Sequence, residues 1–112
     1  MDLNNIREHL DNIDREITRL IVERMDTIAE VAASKKSTGK AIRDHARERE
    51  IINRVTGQAG DTYAPYVKDL YKLILELSRS YQSKLLGGAS PLAAQLTEAC
   101  EASARFGNFL PA

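Results

Sequence analysis

Apolar residues recur every three or four positions over the first 36 residues. Leu3, Ile6, Leu10, Ile13, Ile17, Leu20 and Ile21 form a stripe that Ile28, Val31 and Ala32 continue. Polar side chains fill the opposite side, and neither Gly nor Pro interrupts the run. This spacing predicts one amphipathic helix from about residue 3 to 36, with Asp2 as its N-terminal cap. At 1.5 Å per residue it would be roughly 50 Å long, more than a compact domain of this size can cover. The unbroken stripe therefore predicts cover from another chain.

Ser37-Thr38-Gly39 reads as a loop. A second helix is expected from near Ile42 to about Val55, with Ile51, Ile52 and Val55 apolar. The stretch from Gly57 to Thr62 reads as the next connection, and Asp61 or Thr62 as the cap of a third helix with Pro65 in its first turn. Val67, Leu70, Tyr71, Ile74, Leu77, Tyr81 and Leu85 give that helix its stripe until Gly87-Gly88. The expected fold is all-α: a three-helix protomer with one long N-terminal helix. Residues 1–88 read as the domain and 89–112 as a tail or linker. A short helix from Pro91 to about Ala104 is expected within that tail, followed by an aperiodic end.

The chain has 112 residues, room for one small domain with a thin core. Lys plus Arg and Asp plus Glu both number 16, and this neutrality argues against a nucleic-acid partner. No apolar run is long enough for a membrane span, and no export signal opens the chain, so a cytoplasmic location is expected. Cys100 is the sole cysteine, which excludes an internal disulfide and a zinc site of cysteine type. His9 and His45 fall on expected surface positions and lack companions for metal binding.

More telling are the charges that interrupt the apolar stripes. In a seven-residue count, Leu3, Leu10, Ile17, Arg24 and Val31 form one column, so Arg24 intrudes on the buried side. Lys35 lies 11 residues later, within roughly 20° of the same direction. Burying either cation without an anion costs several kcal/mol, about as much as a typical buried charge. The simplest answer is a carboxylate on a neighbouring helix; the alternative is a bound anion. Asp44, Arg47 and Glu48 share one helix face with Ile51 and Val55. Ile74, Ser78, Gln82 and Leu85 form a similar line on the third helix. Residues 1–34 hold 4 basic and 8 acidic side chains, whereas residues 35–54 hold 7 basic and 3 acidic. A positive, partly buried patch in a neutral protein suits a small polyanion.

The run Ile6-Arg7, Ile13-Asp14, Glu23-Arg24, Lys35, Ile42-Arg43-Asp44, Arg47-Glu48, Ser78 and Gln82 resembles the all-helical chorismate mutase family. The resemblance spans about residues 3 to 86 and rests on eight dispersed polar positions. It implies an intertwined homodimer that rearranges chorismate to prephenate on the route to phenylalanine and tyrosine, without a cofactor or metal. Carried over, it places Arg7, Arg24 and Lys35 around the two carboxylates and the ether oxygen of the substrate. Arg47 would support them, Asp44 and Glu48 would hold the ring hydroxyl, and Ser78 and Gln82 would line the other wall. Lys35, Gln82 and Glu48 are then the catalytic group. The family's counterpart of Arg7 comes from the partner subunit, and spacing agrees: Arg7 and Lys35 lie about 42 Å apart along one helix. The tail beyond Gly88 departs from the minimal family domain, and such tails often lead to a prephenate dehydratase domain. Two rivals remain at this level: an isochorismate pyruvate-lyase on the same fold, and a non-catalytic helical dimerisation module.

Overall fold

The computed structural model describes residues 2–87; the expected helix between Pro91 and Ala104, and Cys100, lie outside the described residues. Three helices make up the described chain: α1 (Leu3–Thr38), α2 (His45–Ala59) and α3 (Ala64–Leu85). No strand occurs among the described residues.

Helix α1 starts as expected, with the Asp2 carboxylate accepting from the Asn5 N–H at 2.9 Å. It ends two residues later than the sequence suggests. The Ser37 and Thr38 hydroxyls donate to the Ser34 carbonyl at 2.9 and 3.0 Å, so both residues extend the last turn. Gly39 then stops the helix in the left-handed region, at φ 70°, with its N–H on the Lys35 carbonyl.

Helix α2 begins at His45 rather than near Ile42. Asp44 caps it, the carboxylate accepting from the Arg47 N–H at 3.0 Å. It runs through Gly57 to Ala59, because a glycine inside a helix costs only about 1 kcal/mol relative to alanine. Neither Asp61 nor Thr62 caps α3. Tyr63 holds that position without a side-chain bond, and a turn closes instead through the Ala64 N–H on the Gly60 carbonyl at 2.9 Å. Pro65 sits in the first turn as expected.

α3 is the middle element: it packs on α1 and on α2, which do not pack on each other. Ile51 and Val55 of α2 meet Leu75 of α3, flanked by Ile52, Val67 and Tyr71. From α1 only Ala32 is fully buried. Leu70, Leu77 and Leu85, placed on the buried stripe by sequence, are exposed within the protomer. The covered face of α3 carries Leu75, Ser78, Gln82 and Ser83 instead. Polar residues are thus buried nearly as often as apolar ones, and they gather at the C-terminal end of α3, between α1 and the start of α2.

Candidate active site

Because α1 and α2 stand apart, the C-terminal half of α3 floors a cavity of about 290 Å³. Arg24 and Lys35 enter from α1, and Asp44, Arg47 and Glu48 from the start of α2. Ser78 and Gln82 line it from α3. Seven of the eight residues singled out by sequence therefore share one cavity. Arg7 does not: it lies on the first turns of α1, is exposed, and is in none of the ion pairs among the described residues.

The two cations on α1 hold neutral oxygens rather than carboxylates. Arg24 Nη1 donates to Ser78 Oγ at 2.7 Å. The Ser78 hydroxyl donates in turn to the Ile74 carbonyl at 2.8 Å, so its one donor is used and its oxygen is turned to the guanidinium as a support. Lys35 Nζ donates to Gln82 Oε1 at 3.0 Å and also to the Ile42 carbonyl. With its carbonyl taken by the ammonium, Gln82 keeps its amide N–H groups for another acceptor. Burial pushes the Lys35 pKa down, and the nearby Asp44 and Glu48 carboxylates pull it partly back.

Both carboxylates of the cavity already have work. Asp44 caps α2, and its exposed side chain lies at the cavity mouth. Glu48 Oε1 accepts from Arg79 Nη1 at 2.6 Å and lies 3.6 Å from Arg43 Nε. Arg47 lines the cavity but pairs outward with Glu50 at 2.8 Å.

Arg79 is the residue that sequence reading missed. Its side chain is only 11% exposed and forms part of the cavity wall. The spacing carried a signal, since Leu75, Arg79 and Gln82 follow each other at i, i+4, i+7 on one face. The lining holds four cations (Arg24, Lys35, Arg47, Arg79) against two carboxylates, an excess of two positive charges. Ile28, Val31, Ile42, Ile51 and Leu75 supply apolar walls. Such a chamber is suited to a small dianion with an apolar frame. Among the described residues, no group of His, Cys, Asp and Glu side chains is arranged to hold a metal ion.

The family model for chorismate mutase type II matches residues 6–83, well over half of the chain. The chain belongs to the chorismate mutase type II family. It is similar to the bifunctional chorismate mutase/prephenate dehydratase of Buchnera aphidicola subsp. Acyrthosiphon pisum, 34% identical over 82 residues, which cover 71% of this chain and 21% of that protein. The protein of the same description from Escherichia coli K12 is 32% identical over 83 residues, covering 72% and 22%. The chain thus spans about a fifth of the length of the curated relatives it matches. No solved structure matches it at a significant level.

Proposed function

We propose that the protein is a chorismate mutase, working as a homodimer in the cytoplasm, and that the cavity over α3 is its active site. The observation that carries this is the pair Arg24 and Lys35: two part-buried cations, each holding neutral oxygen and neither paired with a carboxylate, in a chamber lined by more cations than carboxylates. A structural charge pair would have placed a carboxylate on each. The substrate is a dianion, and its rearrangement breaks one C–O bond while forming one C–C bond. No nucleophile or proton transfer is needed.

In this reading Arg24, held by Ser78, grips one carboxylate and keeps the side arm folded over the ring, so that the reacting carbons meet. As the C–O bond lengthens, negative charge grows on the ether oxygen. Lys35 and the free amide of Gln82 lie together, bonded at 3.0 Å, and serve as donors to that oxygen, stabilising the transition state more than the ground state. Glu48, steadied by Arg79 and Arg43, accepts from the ring hydroxyl at the opposite end. Asp44 contributes mainly by capping α2 and so fixing Glu48 one turn on.

Arg7 enters from a second copy. The stripe from Leu3 to Ile21 is exposed along its whole length, with Leu3 at 57% and Ile17 at 52%. Two such helices crossing antiparallel near Ile17 to Ile21 cover each other's stripes, and Arg7 of each then approaches the Arg24–Lys35 region of its partner. Each dimer has two equivalent sites.

The relatives are named for a second activity, prephenate dehydratase. A domain of that kind is proposed to lie beyond residues 89–112, which serve as the connection to it. Incubating the purified chain with chorismate and, separately, with isochorismate tests the assignment. Prephenate from chorismate is the expected product; pyruvate release from isochorismate alone, or no turnover of either, refutes it. Among the two rivals the lyase is disfavoured by the full polar set, including Glu48 and Ser78.

A further inference from the structure

A second cleft of about 410 Å³ opens between α2 and α3, sharing Glu48, Leu75 and Arg79 with the catalytic cavity. We propose that this cleft is a separate binding site for a small carboxylate with an apolar body and no ammonium group.

Its charge is lopsided. Arg43, Arg49, Lys72 and Arg79 line it against one carboxylate, Glu48. That carboxylate is occupied by Arg79 and approached by Arg43, so it neutralises little else. Arg49 and Lys72 have no carboxylate partner among the described residues, and they come from different helices, one on each side of the cleft. Arg79, in the wall between the two chambers, keeps a buried Nε–H without an acceptor. Leaving such a donor unsatisfied costs about 1 to 3 kcal/mol or more, so an incoming oxygen within reach of it is favoured.

The remaining lining sets the ligand class. Ile52 and Leu75 present apolar surface to the same space, which inorganic phosphate cannot use. The volume falls in the range of small-molecule sites and excludes a folded partner. An amino acid would bring its ammonium against four cations. A carboxylate on a hydrocarbon or aromatic frame satisfies each constraint. Within the protomer no residue of α1 lines the cleft, which lies between α2 and α3.

Binding to the purified chain is measured by calorimetry or ligand-observed NMR with 3-phenylpropanoate, against L-phenylalanine and inorganic phosphate. 3-Phenylpropanoate should saturate a site at least about tenfold more tightly than either comparator. Lys72→Ala and Arg49→Ala, both at exposed residues and checked for helicity by circular dichroism, should each weaken it by about tenfold, the loss of one charged contact. Arg24→Ala, in the catalytic cavity, should leave it unchanged. The proposal is overturned by the absence of saturable binding in the millimolar range. It is equally overturned by binding that Arg24→Ala abolishes while Lys72→Ala and Arg49→Ala do not, or by phosphate or phenylalanine binding as tightly as 3-phenylpropanoate. Since the readout is binding, it is independent of whether chorismate is turned over.

Discussion

The two halves of α1 share one periodicity and live in different surroundings. From Leu3 to Val22 every residue is exposed in the protomer, and the stripe is purely aliphatic. From Arg24 onward the helix packs on α3, buries Ala32, and carries two cations where the stripe would place aliphatic side chains. The first half lacks cover that only protein can supply, since fully burying one Leu or Ile stabilises by about 1.5 to 3 kcal/mol. The second half has gained its protein cover but is left with charges that aliphatic packing cannot satisfy. One half asks for a helix and the other for an anion. Antiparallel pairing about a point near mid-helix answers both, because it brings the bare end of one copy beside the charged end of the other.

Several substitutions would break or sharpen that contrast. The largest effect is expected from Ile17→Asp, which places a carboxylate in the middle of the bare stripe. Sedimentation should show a monomer, and turnover should fall to background because no site then has its Arg7; a fully active monomer would separate function from pairing. Next, Lys35→Ala in the charged half should lower kcat at least about 100-fold, the scale of losing a donor to a developing oxyanion, with the oligomer intact. Mixing Arg7→Ala with Lys35→Ala chains should restore about a quarter of wild-type activity, because in half of the dimers one of two sites is whole. Failure of rescue despite demonstrated subunit exchange would place Arg7 outside the site.

Smaller effects follow from the supports. Ser78→Ala frees Arg24 without removing its charge, so KM should rise about tenfold while kcat changes less, as measured by steady-state kinetics. Smallest is a shift in pH dependence. Burial lowers the Lys35 pKa, so the ammonium is lost, and activity with it, at a lower pH than for a lysine in water. Lys35→Arg stays charged throughout and should flatten that alkaline limb, whatever its kcat. The linked stability has the opposite sense. Between the lowered native pKa and the unfolded one the unfolded chain binds more protons, so Lys35 makes the fold slightly more stable as pH rises through that window.

Much of this was legible in one dimension. Gly- and Pro-free periodicity identified α1, and the intrusion of Arg24 and Lys35 on its stripe marked the cavity before any fold was known. The misses have specific causes. The α3 stripe was read through Leu70, Leu77 and Leu85, which are exposed, because periodicity records every apolar position and cannot say which face meets its own chain and which awaits another. Asp44 reads by sequence as a site carboxylate within the second helix, whereas its place just before α2 makes it the cap. Arg79 is absent from the sequence reading: its helical spacing with Leu75 and Gln82 marks the face, but its partner Glu48 lies 31 residues earlier, and spacing alone does not supply that partner. Helix ends were misplaced where side chains bond back to the backbone, as at Ser37 and Thr38.

The continuity of α1 over 36 residues has a consequence for how such a gene can change length. A rod without a hinge transmits any insertion along its whole length. Adding or deleting one residue between Arg7 and Arg24 would swing everything upstream by about 100° and slide it by about 1.5 Å. The stripe would then face water and Arg7 would point elsewhere. Loops absorb indels; this strut cannot, so its residue count between those two arginines should be as strictly held as the arginines themselves.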